Sequence, residues 1–280
     1  LLNIVIFEYN FYTFYFLLFL ICIIFFGFID DIINLAASKK LLILFILLSF
    51  FVIEILRIDT LGHLFNREIN LSIFSIPFSI LCLLLIINSF NYFDGLDGLL
   101  GSLTIISVVY FLYFVQGQLA IFLFSVLIYL IIFLFFNFGI LPKQFMGDSG
   151  SLGLGFIVSF LAIYLSQIEK SIMPSFIIWP LAFFVYEFLL INLIRIKIKK
   201  NIFSRDLNFI FNILAHKHGN LNSVIICICI QIFFCFHGVF LEKFDLNNLS
   251  IILFCLYFIV YLILRLVQFN KYYEKIKHKQ

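Results

Sequence analysis

Two aspartates three residues apart, each followed by glycine, stand in the stretch Asn88–Leu99, NSFNYFDGLDGL. Asn88 and Asn91 precede Asp94 and Asp97 at the same spacing, and apolar runs flank the stretch, Phe74–Ile87 and Leu99–Val115. Carboxylates beside hydrocarbon-soluble segments are costly and mark functional sites. The glycines, Gly95 among them, let the backbone turn and approach a ligand closely. Two more acidic motifs share this setting: Asp30-Asp31 in FGFIDDIIN, and Asp148 in FMGDSGS. Clustered like charges repel unless cations neutralise them. Hard oxygen ligands suit Mg²⁺ or Mn²⁺, which keep waters and bind substrate phosphates. Small residues around Asp148 leave backbone N–H groups at a helix start free to meet a phosphate. Lys143 adds a positive charge for a diphosphate. Structural alternatives stay open for each motif: a helix-end cap for Asp30-Asp31, an N-cap for Asp97, a topology anchor for Lys143.

These groups need elements to hold them, and the composition says which. The 280 residues are 64% hydrophobic and 12% charged, where soluble domains average about 25% charged. Nine runs approach the roughly 17–25 residues that cross a bilayer: about Ile4–Ile29, Leu41–Leu56, Ser72–Ser89, Leu99–Val115, Leu119–Phe138, Ser151–Ser166, Ile172–Ile194, Ser223–Leu241 and Leu249–Val267. Backbone groups in lipid must be satisfied within the segment, and the runs do not alternate as barrel strands do. The expectation is an all-α polytopic integral membrane protein of about nine transmembrane helices. Residues 1–280 form one transmembrane domain. The six cysteines all lie in apolar runs and read as small buried hydrophobes rather than disulfides or metal ligands. The chain starts at Leu1 almost directly in a span, which is read as a missing N-terminus.

Lys and Arg set the orientation. Lys39, Lys40, Lys143, Arg195, Lys197, Lys199, Lys200, Arg205, Lys217 and the lysine-rich tail fall on one side; Arg57, Arg67, Lys170 and Lys243 fall on the other. The first side is cytoplasmic. Counting spans then places Asp30, Asp31, Asp94, Asp97, Asp148 and Asp206 all on that side, while the outer loops hold scattered single acids. Convergence of the carboxylates at one bilayer surface points to a divalent-metal site there.

FGFIDD, NSFNYFDGLDGL and FMGDSGSLGLG, in this order, resemble the polyprenyl-phosphate N-acetylhexosamine-1-phosphate transferases, the superfamily of the MraY, WecA and TagO enzymes of envelope synthesis. The resemblance covers essentially the whole chain. It implies a Mg²⁺-dependent reaction in the inner (plasma) membrane, at its cytoplasmic face: a UDP-N-acetylhexosamine and a polyprenyl phosphate give polyprenyl-diphosphate-sugar and UMP. By that resemblance Asp148 is a metal ligand, with Asp94 and Asn91 beside it, and Asp30 or Asp31 deprotonates or orients the lipid phosphate. Asn91, Asp94, Gly95 and Asp97 line the nucleotide pocket, Phe145 stacks on uracil and Lys143 meets phosphate. Direct attack and a covalent aspartyl intermediate both stay open. The resemblance implies no nucleic-acid partner and makes a homodimer plausible. Two spans after the last cytoplasmic loop favour the WecA/TagO branch, hence UDP-GlcNAc, over phospho-MurNAc-pentapeptide transfer.

The chain departs from the family pattern in two places. A further N-terminal region with a basic loop is absent. The family's histidine motif is replaced: after Asp206, the histidine positions hold Phe209, Phe211 and Asn212, with His216 and His218 out of register. Those two histidines either take over through a shifted loop or are plain surface residues. Glu187 falls where the family often has Asp, with Arg195 the candidate partner of this buried charge. Two other classes of function compete. An ion-coupled transporter needs charges near the midplane and broken helices there. A catalytically impaired relative that binds lipid-linked sugar fits the lost histidines.

Overall fold

The computed structural model describes residues 11–65, 67–197, 199 and 208–277. Over the described residues, each of the nine apolar runs falls on helix. They are α1 (Phe11–Ile33), α2 (Ala37–Glu54), α3 (Ser75–Phe93), α4 (Leu99–Phe114), α5 (Gly117–Asn137), α6 (Gly147–Ile163), the interrupted pair α7 (Pro174–Ile177) and α8 (Ala182–Lys197), and, after the short α9 (Ile210–His218), α10 (Asn220–Lys243) and α11 (Asn247–Lys277). Seven of the described spans are long and apolar enough to cross a membrane. The other two fall short for plain reasons. Helix α2 carries Lys39, Lys40 and Glu54, and α4 has 16 residues, about 24 Å of helix at 1.5 Å per residue.

Helix α6 is the axis of the bundle: 78% of its span is buried, against 11% of α5. Its sequence GDSGSLGLGFIVS puts small residues where neighbours cross, as membrane helices do to bring backbones together. A Cβ on Gly155 would lie 2.8 Å from Ile87 Cα of α3. A Cβ on Gly27 would lie 2.5 Å from Ser149 Cα. Any side chain at Gly27 would therefore push α1 off the first turn of α6, and FGFIDD needs its glycine for that reason.

Two boundaries differ from the sequence expectation, and both matter to the site. Helix α1 runs on through Asp30 and Asp31 instead of ending before them. It closes where Asn34 enters the left-handed region at φ 54° and donates its N–H to Asp30 O at 2.8 Å, a conformation Asn tolerates. Helix α6 starts at Gly147, so Asp148 sits in its first turn.

The span expected as one helix from Ile172 is broken around Pro180, between α7 and α8. The Pro180 carbonyl, which a continuous helix would satisfy, accepts from Ser107 Oγ (3.0 Å) and Gln231 Nε2 (2.7 Å) instead.

At the end of the bundle away from the clustered aspartates, the loop after α2 forms an antiparallel hairpin of β1 (Thr60–Leu64) and β2 (Arg67–Asn70). The Gln167 side chain takes N–H groups of Asp59 and Thr60 and donates to Thr60 O. Phe65 N–H donates to Asn248 Oδ1 at 2.7 Å. The hairpin is pinned to the π-helical turn Tyr164–Ile168 that follows α6 and to α11, which periodicity over such short strands does not reveal.

Candidate active site

The site is assembled where the ends of α1, α2, α3 and α6 meet. The last turn of α1 supplies adjacent carboxylates that point different ways. Asp30 is 4% exposed. Its Oδ1 accepts the Leu35 N–H at 2.9 Å, and its Oδ2 pairs with Lys40 Nζ at 2.8 Å. Asp31 caps the first turn of α6, accepting from Asp148 N–H at 2.8 Å and Ser149 N–H at 3.2 Å. Negative charge is favourable at a helix N-terminus. Gly147 has φ +68°, and a Cβ there would stand 2.9 Å from Asp31 Oδ2; only glycine lets that carboxylate approach.

Asp148 is the hub. Its Oδ2 takes Lys40 Nζ at 2.6 Å, and its Oδ1 takes Asn91 Nδ2 at 3.0 Å. Lys40, counted in the sequence only as a topology determinant, thus bridges Asp30 and Asp148. A lysine one turn into a short, charged helix that follows an acidic pair was the available signal. Asn88, by contrast, turns back to Leu84 O at 2.7 Å and takes no part in the cluster.

Asp94 follows α3 directly. Burial, then repulsion from Asp148, Asp31 and Asp97, pushes its carboxyl up to about 7, against an opposing hydrogen bond from Gly147 N–H. Proximity to three other carboxylates is therefore built into its environment. The turn after it is fixed by Asn137, a second residue that the motifs did not single out. Gly98 N–H donates to Asn137 Oδ1 at 2.5 Å, and Asn137 Nδ2 donates to Gln144 O at 2.9 Å. Gly98, at φ +78°, is the N-cap of α4, and a Cβ on it would overlap the Phe138 ring. Asp97 does not cap α4; it pairs with Lys143 at 2.6 Å, a half-exposed pair. Lys143 Nζ also lies 5.1 Å from the centre of the Phe145 ring, which is 74% exposed. The ring thus stands exposed with a cation over it, a cation–π contact at the rim of the cluster.

Among the described residues no three His, Cys, Asp or Glu side chains form a ready-made metal cage. The donor set still fits Mg²⁺. It is all oxygen, led by Asp148 with Asp94 nearby and Asn91 alongside, and Mg²⁺ uses one or two carboxylates, waters and substrate phosphates rather than a closed protein cage.

Asp206 lies outside the described residues. His216 and His218 are exposed on the last turn of α9. Phe209 and Phe211, in the histidine register, are buried and stacked at 5.2 Å, packed against Tyr92 and Phe93. Glu187 does not pair with Arg195. Its Oε1 binds Arg265 Nη2 at 2.8 Å, because α11 packs on α8 and delivers the guanidinium there. Arg195 instead lies over the Tyr92 ring, 5.3 Å from its centre. The six cysteines are all free thiols.

Residues 13–166, more than half of the chain and all three acidic motifs, match the family model described as glycosyl transferase family 4. No curated protein matches the chain.

Proposed function

The chain belongs to glycosyl transferase family 4, the family of MraY/WecA/TagO-type phospho-sugar transferases, and on that premise we propose that it moves a HexNAc-1-phosphate, GlcNAc-1-phosphate by preference, from a UDP-sugar to an undecaprenyl-type polyprenyl phosphate. The observation that carries this is the first turn of α6, where Asp148 is flanked by Asp30, Asp31, Asp94 and the Lys40 ammonium. An acceptor phosphate oxygen attacks the β-phosphorus of the UDP-sugar. The new P–O bond forms as the bond to the bridging oxygen breaks, and UMP leaves with that electron pair.

Such a step needs positioning and charge screening more than covalent help from the protein. Lys40 can shift from its two carboxylates onto phosphate oxygens, and Lys143 lies at the rim beside Phe145, where the base would stack. Asp30, buried and tied to Lys40, orients the acceptor phosphate. Asp31 holds the α6 turn in place. Asp148, Asp94 and Asn91 would hold Mg²⁺, which screens the diphosphate. An apolar cavity of about 380 Å³ lies under the hairpin, between α3, the end of α6, the broken helix and α11, lined by Leu61, Leu64, Phe78, Ile163, Leu181 and Phe254 among others, at the end of the bundle away from the carboxylates.

Two helices, α10 and α11, follow the loop that carries α9, which supports the WecA/TagO branch and a cytoplasmic site by the lysine distribution. The test is UMP release from UDP-GlcNAc by membranes carrying the protein, with polyprenyl phosphate added and Mg²⁺ present. Release that stops on chelation is expected; no UMP from any UDP-sugar rejects the transferase. A second reading draws on the burial of Phe209 and Phe211, which fills the histidine positions with core. It is a relative that binds the UDP-sugar and does not turn it over, and binding without UMP release would establish it.

A further inference from the structure

We propose that the buried Glu187–Arg265 pair is a positioning device for the nucleotide-sugar side of the site, acting through α9 and the Phe211 ring on the backbone at Gly95; the inference rests on the transferase reading.

The pair is fully enclosed, with Glu187 0% and Arg265 2% exposed. Its contacts do more than neutralise charge. Arg265 Nη2 also donates to Asn208 O at 2.7 Å, and Glu187 Oε1 accepts the Ile210 N–H at 2.6 Å. Tyr261 OH donates to Glu187 Oε2. Helix α9 has no cap of its own, since Phe209 stands at its N-cap without a side-chain acceptor. A carboxylate from α8 supplies that cap, and an arginine from α11 holds both the carboxylate and the carbonyl two residues upstream. The start of α9 is thereby fixed by two spans remote in sequence.

What α9 then presents is a ring. Phe211 is 1% exposed, 5.5 Å from the Phe93 ring at the end of α3. Its Cε2 lies 2.7 Å from where a Cβ on Gly95 would be. Gly95 follows Asp94 directly. The chain of contact therefore runs from Arg265 and Glu187 to Ile210, to Phe211, to Gly95 and the turn bearing Asp94 and Asp97. Buried ion pairs are weak sources of net stability and are best attested as devices that fix register; here the register fixed is that of α9 against the DGLDG turn. The physical consequence is that the last span, far from the chemistry in sequence, sets the wall of the site.

The test uses the full chain in detergent or nanodiscs, comparing wild type with Arg265→Met, Glu187→Gln/Arg265→Met and Phe211→Leu by hydrogen exchange and by kinetics. Arg265→Met leaves a buried carboxylate unpaired, so it also lowers thermal stability. The double variant removes both charges and regains that stability. If the pair only stabilises the fold, the double variant behaves as wild type. If it positions α9, exchange stays raised by about tenfold in segments 208–218 and 91–98 in the double variant, and in 91–98 with Phe211→Leu. In the same variants KM for the UDP-sugar rises by about tenfold while KM for polyprenyl phosphate holds within about twofold. Wild-type exchange at 91–98 in the double variant overturns the proposal. A wild type that releases no UMP rejects the transferase reading, and the exchange result then decides the positioning role by itself.

Discussion

Two groups of charge lie on the same side of this bundle and are built in opposite ways. Glu187 faces one guanidinium, a tyrosine hydroxyl and a backbone N–H, and its oxygens are saturated by protein. In the other group, Asp30, Asp31, Asp94, Asp97 and Asp148 face Lys40 and Lys143. Among the described residues these five carboxylates face two ammonium groups, and Asp94, pushed up first by burial and then by the carboxylates around it, rises to about 7. A closed, neutral pair serves architecture, while an open, acidic one is the place where the proposed transferase would take up a cation and the phosphates that come with it. The contrast separates the proposed site carboxylates from the structural one more sharply than burial does, since Glu187 is the more buried.

The largest expected effect breaks the open group at its hub. Asp148→Asn keeps the shape and removes the charge, and kcat for UMP release should fall by about a thousandfold, about 4 kcal/mol of transition-state stabilisation. A tenfold loss or less would move the hub elsewhere. On the closed side, Arg265→Met should cost roughly 3–5 kcal/mol of stability, because it strands a buried carboxylate. Thermal unfolding in detergent reads this, and Glu187→Gln added to it should recover most of the loss.

The pH dependence should set the groups apart next. Asp94 has its carboxyl raised from an ordinary 3.8 to about 7. The folded state therefore favours the protonated form, and without divalent cation stability should decline as pH rises from about 4 to 7 and level off above. Cation binding has the opposite slope: the proton competes, so affinity should drop by about tenfold per unit below pH 7. An affinity flat from pH 5 to pH 8 would remove Asp94 from the ligand set. The smallest effect belongs to the half-exposed Lys143–Asp97 pair. Lys143→Met should change stability by less than about 1 kcal/mol, yet raise KM for the UDP-sugar, since the ammonium also lies over Phe145.

Much of this was legible in the sequence because membrane burial simplifies it. Runs of apolar residues locate the helices, and parity puts Asp30, Asp31, Asp94, Asp97 and Asp148 at one surface without any knowledge of packing. Four of the spacings the motifs offer are explained by the fold: Gly27 against Ser149, Gly147 against Asp31, Gly98 against Phe138 and Gly95 against Phe211. What was not legible depends on contacts between distant helices. Lys40 reads as a topology lysine until α2 folds back beside α6. Glu187 reads as a partner of Arg195, eight residues on, until α11 brings Arg265. Asn137 is one polar residue at the end of an apolar run, and its role appears only once the turn at Gly98 lies beside it. The hairpin after α2 and the break at Pro180 are likewise tertiary outcomes, held by Gln167 and by Gln231 with Ser107.

The most direct measurement is a Mn²⁺ titration of the purified protein by electron paramagnetic resonance, on wild type, Asp148→Asn and Glu187→Gln/Arg265→Met. The open-and-closed distinction predicts about one bound Mn²⁺ per chain in wild type, its loss in Asp148→Asn, and its retention in the double variant. Mn²⁺ binding that survives Asp148→Asn, or that disappears with the Glu187–Arg265 pair, would contradict it.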